Sequence, residues 1–165
     1  MRPFLILTAV VLLAFSVTFA EEQEKKVSES QVPQAVLKAF ADSYPGATVK
    51  EYAEEKEDDK TFYEISCEYE GRKIDVSYNV DGFVTEVEET ISENELPDAV
   101  KAAIGKEFKN ASIQLAEKKL KDGKTFYEVK LTAGDDLYEV LYTNAGKQVE
   151  KAEMDEDEGE QEGEE

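Results

Sequence analysis

Catalysis draws on a short roster of side chains, and this chain lacks several of them. Its 165 residues include no histidine and no tryptophan, and Cys67 is the one cysteine. Without histidine there is no Ser-His-Asp triad, no Cys-His dyad and no imidazole ligand for zinc or haem. One cysteine cannot build a cysteine zinc site, a CxxC pair or an internal disulfide. What remains is carboxylate: 39 Asp and Glu against 19 Lys and Arg, a formal net charge of −20. Paired acids can do general acid–base work. Here they are spread over strands, turns and tail, with no neighbouring residue that singles out a pair. The expectation is a chain that is not an enzyme, with no catalytic residues, no cofactor and no metal site. Nucleic acid is not expected as a partner either, because phosphate contacts need clustered Lys and Arg.

Two other features have chemical readings. Residues 154–165 hold Met154 and otherwise only Asp, Glu, Gly and Gln. Such a run predicts a disordered acidic tail, since like charges repel and nothing apolar favours order. Loose calcium binding is the alternative, but no EF-hand spacing is present. Asn110-Ala111-Ser112 forms a glycosylation sequon that matters only in a eukaryote.

The elements that position these groups come in two copies. Shifted by 64 residues, the chain lies on itself without a gap, with 18 identities when 28–89 is set against 92–153. Lys60-Thr61-Phe62-Tyr63-Glu64 falls on Lys124-Thr125-Phe126-Tyr127-Glu128. The shift also puts Cys67 on Leu131, which marks the thiol as a core residue and so inert. Each copy opens with apolar residues at helical spacing: Val32, Ala35, Val36, Ala39, Phe40, and then Leu96, Ala99, Val100, Ala103, Ile104. Pro33 and Pro97 stand where a first helical residue is expected. Pro45-Gly46 and Lys109-Asn110 are the predicted helix ends.

Period-2 alternation follows. Thr61, Tyr63, Ile65, Cys67 and Tyr69 form one side of a strand, and Ile74, Val76, Tyr78 and Val80 one side of the next. With 47–56 and 83–88 this predicts a helix and four antiparallel strands. The second copy repeats them at 111–120, 124–133, 136–143 and 147–152. Turn signals such as Glu70-Gly71, Asp81-Gly82 and Asp122-Gly123 separate the strands. The two units could share one core or join sheets edge to edge.

The first residues give an address. Residues 1–20 carry Arg2, then an almost continuous apolar run from Phe4 to Phe19, and end in small residues before Glu21-Glu22-Gln23-Glu24. That is the pattern of a cleaved secretory signal peptide, with Glu21 as the mature amino terminus. A retained anchor is the other reading, but the run is slightly short for a comfortable span. The expected layout is a signal peptide 1–20, an acidic linker 21–27, repeats 28–90 and 91–153, and a tail 154–165. No stable membrane span is expected after cleavage.

A helix opening on [VL]-P-x-A-V, strands carrying [KT]-x-[YF]-E-[IV] and a D-G or A-G turn into a last strand, twice in tandem, resemble the PepSY-like family. Its fold is that of the beta-lactamase inhibitor protein. The resemblance covers nearly all of 28–153. It implies an α+β protein of two tandem αββββ repeats, whose strands form one curved antiparallel sheet with helices packed on one face. It also implies an exported protein whose open sheet face binds another protein. The inhibitor itself has disulfides, which this chain cannot form.

Phe62 and Phe126 share strands with core-facing residues but alternate to the other face. Aromatics on a charged face are typical anchors, and Glu64, Glu128, Asp75 and Glu139 are expected beside them. Leu137 and Leu141 fall on the same face. The functional expectation is an exported, non-catalytic protein-binding module, an enzyme inhibitor or modulator being one form of it, with another exported protein as partner. The other reading is a structural or weakly cation-binding envelope protein. The oligomeric state stays open.

Overall fold

The computed structural model describes residues 25–57 and 60–154. The expected signal peptide, most of the acidic linker and residues 155–165 of the tail lie outside the described residues. Nine antiparallel strands form one sheet in strict chain order: β1 (Lys25–Lys26), β2 (Thr48–Glu57), β3 (Lys60–Tyr69), β4 (Arg72–Asn79), β5 (Val84–Thr90), β6 (Ser112–Lys121), β7 (Lys124–Ala133), β8 (Asp136–Thr143) and β9 (Gln148–Met154). Helix α1 (Gln34–Ser43) lies between β1 and β2, and α2 (Asp98–Glu107) between β5 and β6.

Two details extend the sequence reading. Lys25 and Lys26, expected in the linker, pair with Glu54 and Ala53 and add a ninth strand at the edge of β2. Met154, expected to open the tail, closes β9 opposite Leu137. A third corrects it. Pro33 and Pro97 have ψ of 140° and 143°, so they cap their helices and are not first helical residues. Ahead of each proline is a 3-10 turn, closed at Ser28 by an N–H donated to Gln31 Oε1 (3.0 Å) and at Ser92 by one donated to Glu95 Oε2 (2.9 Å). The helix start is thus set by serine turns as well as by proline.

Alternation sorts each strand into a packed face and a polar face. One buried cluster joins Val36 and Phe40 of α1 to Tyr63, Ile65, Cys67, Ile74, Val76 and Tyr78. A second joins Val100 and Ile104 of α2 to Val129, Leu131, Val140 and Tyr142. The question of one core or two is thereby answered: there are two, and the halves meet edge to edge through β5 and β6. Five residue pairs run across that junction, from Glu86–Lys121 to Thr90–Glu117. The strand register agrees with the alternation read from sequence, since Tyr63 and Ile65 are buried while Phe62 is partly exposed. Bulges at Val49/Glu51 and Ser77/Tyr78 recur 64 residues on, at Ile113/Leu115 and Leu141/Tyr142. A repeated bulge is a shared architectural device, because it adds one residue and re-aims the strand at a set point.

Each helix is also held at its first turn by a glycine. Gly82 has a φ of +82°, and a Cβ there would come within 2.6 Å of the Ala35 carbonyl oxygen. Gly146, φ +73°, abuts Ala99 in the same way. The β4–β5 and β8–β9 turns therefore pack backbone to backbone on α1 and α2. Gly71 has φ +81° but nothing within 4 Å of its would-be Cβ, so it separates backbone strain from contact. Gly82→Ala and Gly146→Ala are expected to lower the unfolding free energy by about 2–4 kcal/mol, and Gly71→Ala by about 1 kcal/mol. Urea denaturation of the three variants checks this; equal losses would mean the helix contact contributes nothing.

Candidate functional site

On β3, β4, β7 and β8 the residues that alternate with Ile65, Val76, Val129 and Val140 point away from the two cores. They include all six candidate residues: Phe62, Glu64, Asp75, Phe126, Glu128 and Glu139. Cross-strand register arranges this face in rows. One row runs Ser66, Asp75, Glu88, Lys119, Phe126 from β3 to β7. Beside it lie Glu64, Ser77, Glu86, Lys121 on one side and Thr90, Glu117, Glu128, Leu141 on the other.

The rows divide the candidates into two groups. Phe62 sits between Glu55 and Asn79, with Glu64 and Asp75 in its half of the sheet. Phe126 sits between Lys119 and Thr143, with Glu128 and Glu139 in the other half. Four strand spacings, roughly 19 Å, separate the strands that carry the two phenylalanines. A single aromatic anchor ringed by all four carboxylates is therefore not formed. Each half presents its own aromatic, partly exposed.

Between them lies a cluster that sequence reading missed. The Lys119 ammonium is 2.8 Å from Glu86, 2.6 Å from Glu88 and 3.4 Å from Glu128. Lys121 reaches Glu86 at 2.7 Å. Only 19% of the Lys119 side chain is exposed, so these pairs are poorly screened. Burial works to lower the Lys119 pKa, but the charges of Glu88 and Glu128 outweigh it and hold the ammonium above its ordinary value. Burial and a hydrogen bond with Glu86 push Glu88 well above the usual carboxylate range. Glu86 goes the other way: the hydrogen bonds from Glu88, Lys119 and Lys121 overcome its burial. The two adjacent acids are thus pushed in opposite directions in a poorly solvated site. Burial also raises Glu117, which accepts a hydrogen bond from Thr90, and raises Glu139, which is paired with Lys130 at 3.7 Å.

Glu128 is already engaged by Lys119, so it is not a free charge for a partner. Reversing it would break the Lys119 contact as well as any docking. Cys67 is fully buried, and burial raises its thiol to about 11, which leaves almost no thiolate at neutral pH. Phe83 is 70% exposed in the β4–β5 turn, next to Val80 and Val84; the positions 64 residues on are Lys147, Asn144 and Gln148. The strand expected at 83–88 included Phe83, but β5 begins at Val84 and leaves it in the turn. Among the described residues no helix is long and apolar enough to cross a membrane.

Comparison with known proteins adds a family and a fold. A family model described as "Putative beta-lactamase-inhibitor-like, PepSY-like" matches residues 18–84 and 69–149. A solved structure from Bacteroides eggerthii, described among "putative periplasmic proteins", is similar at 18% identity, with a TM-score of 0.65 over 74% of this chain and 88% of the other. A BLIP-like protein from Bacteroides fragilis is similar at 21% identity and a TM-score of 0.58, covering 73% of this chain and 86% of that one. No match was found among curated proteins.

The raised acids set the sign of the pH dependence. A carboxyl that keeps its proton longer when folded contributes fully below its ordinary value near 4.5. That contribution is lost as pH rises through the raised folded value. Glu88, Glu117 and Glu139 all act in this sense. Unfolding free energy is therefore expected to fall as pH rises from 5 through neutrality. Glu88→Gln, which mimics the protonated acid, should flatten that fall, while Lys119→Met should cost about 1–3 kcal/mol at pH 7. Urea titrations at several pH values check both; a Glu88→Gln curve parallel to wild type would refute the raised Glu88 carboxyl.

Proposed function

The chain belongs to the PepSY-like family, described as beta-lactamase-inhibitor-like, and from that premise we propose that it is an exported, non-catalytic protein-binding module that uses its polar sheet face. Export is supported by the leader pattern of residues 1–20 and by the periplasmic description of the similar Bacteroides eggerthii protein. The chain is read as two αββββ units with both helices on one face, which leaves the opposite face for contact.

One observation carries the reading. The polar face holds Phe62, Phe126, Leu115, Leu137 and Leu141, which neither buried cluster includes. Side chains with no core to fill, flanking the ion-paired cluster around Lys119, offer separate apolar anchors on either side of a charged centre, and binding energy concentrates in a few such anchors. The inert Cys67 thiol fits a role without nucleophilic chemistry. Inhibition of an enzyme is one form such binding would take.

Affinity capture from the native envelope fraction tests the proposal. A stoichiometric protein partner that stays bound in moderate salt is expected, since contact through buried aromatics is little screened. Phe62→Ala and Phe126→Ala should each weaken it by about 1–3 kcal/mol with little change in stability. Normal binding by both variants would rule out the polar face. A loss of several kcal/mol of stability would show both to be packing residues.

A further inference from the structure

The joint between the halves is made of two strands that have equivalents elsewhere in the sheet. A shift of 64 residues carries β5 (Val84–Thr90) onto β9 (Gln148–Met154) and β2 (Thr48–Glu57) onto β6 (Ser112–Lys121). β5 meets β6 inside the sheet, whereas β2 and β9 lie toward its two ends, and among the described strands nothing pairs with the outer side of β9. The outer edges of β9 and β2 are therefore the same two surfaces that meet at the joint. A second copy placed head to tail would lay its β2 on β9 in the β5–β6 register. Such a contact uses a different surface on each copy, so it leads to rings or filaments and not to a closed pair.

The residues on these edges oppose that contact. Carried over from the joint, Val87–Leu120 becomes Lys151–Lys56, Glu88–Lys119 becomes Ala152–Glu55, and Glu89–Lys118 becomes Glu153–Glu54. An apolar pair and an opposite-charge pair turn into like charges directly opposite each other, which destabilise a ladder. Lys119, the ammonium that three carboxylates share in the joint, is itself replaced by a carboxylate. The β2 edge is also partly taken. β1 pairs with Ala53 and Glu54, the equivalents of Glu117 and Lys118 that β5 pairs with in the joint. There Lys25 brings an opposite charge to Glu54, where a second copy would bring Glu153. Lys26 is held to Glu51 at 2.7 Å.

We infer that β2 and β9 are the two halves of a copy-to-copy joint that the chain holds shut. The partner whose backbone geometry fits them is a second copy of this chain, and β1 together with the like charges of Glu54, Lys56, Lys151 and Glu153 keeps it away. Unpaired strand edges invite such pairing, and charged residues on the edge are one way of refusing it. The same strand geometry thus serves as an internal seam at β5–β6 and as a barred one at the ends, and residue type alone decides between them.

Giving the edges the residues of the joint tests this. One variant carries Glu54→Lys, Glu55→Lys and Lys56→Leu, so that β2 has the Lys-Lys-Leu run of β6. The other carries Lys151→Val and Ala152→Glu, so that β9 has the Val-Glu-Glu run of β5. Sedimentation velocity on the purified proteins reads association. Wild type and the β9 variant alone are expected to stay monomeric. The two variants mixed are expected to form a one-to-one complex about tenfold or more tighter than any self-association of either. Adding Glu153→Pro to the β9 variant should abolish that complex. In the joint Ile91 donates its N–H to the Ala116 carbonyl oxygen, alternation turns the Glu89 N–H to the same side, and Glu153 is its equivalent. If the β2 variant does not fold, an end-blocked peptide of residues 112–121 takes its place, with binding to the β9 variant expected to be about tenfold tighter than to wild type. A mixture that stays monomeric, a peptide that binds both proteins alike, or a complex that survives Glu153→Pro overturns the inference. So does a wild type that self-associates and is taken apart by Glu153→Pro.

Discussion

The Lys119 ammonium, held by Glu86, Glu88 and Glu128, is the interaction on which the assembly of this sheet depends. Each half has its own buried cluster and its own helix, so neither core reaches across the middle. What joins them is the β5–β6 ladder. On the packed face its central pair is Val87 and Leu120, and Leu120 is 44% exposed, so apolar burial there is modest. The polar face supplies the rest through charges that are intelligible only together. Without Lys119 the carboxylates would repel; without them it would be a half-buried ammonium with no counter-charge. A slip of one residue would turn Lys119 to the wrong face. Arg72 adds a second tie, bonding Glu89 on β5 at 3.1 Å and Glu95 ahead of α2 at 2.7 Å.

Several packed positions agree between the halves, while several on the polar face differ. Val36 and Val100, Ile65 and Val129, Val76 and Val140, and Tyr78 and Tyr142 are equivalent and all but fully buried. On the polar face Ser77 answers to Leu141, and Lys73 to Leu137. A close-packed interior penalises changes of volume, whereas a face with no core to fill tolerates changes of type. On the polar face the matched pairs Phe62/Phe126 and Glu64/Glu128 stand beside unmatched ones, so that face carries both features common to the halves and features particular to one.

That contrast explains what could be read from the residues. Helices, hairpins and facing came through because they are local: period-3.6 spacing around Val36 and Val100, period-2 spacing through Tyr63 and Tyr127, and glycines at the turns. The small β1 was invisible because two lysines carry no periodicity. The capping role of Pro33 was misjudged because helix-start preference does not distinguish a cap from a first turn when serine turns precede it. All six candidate site residues could be placed on one face, but their separation could not, since distance between β3 and β7 depends on strand order. Lys119 was missed for the same reason. In the run Lys118-Lys119-Leu120-Lys121 nothing marks one lysine as enclosed until β6 is laid against β5.

Strict neighbour-to-neighbour strand order has a consequence for how the chain reaches this form. Most pairings close over a turn of a few residues; only β1–β2 and β5–β6 span a helix. Ordering entropy is therefore recovered in short steps, and contacts distant in sequence are few beside a Greek key of the same size. The first half can complete its hairpins and seat α1 before the second half is present. For a polypeptide threaded amino-terminus first through a membrane, such a topology permits folding to follow emergence, with β5 as the template on which the later strands are laid.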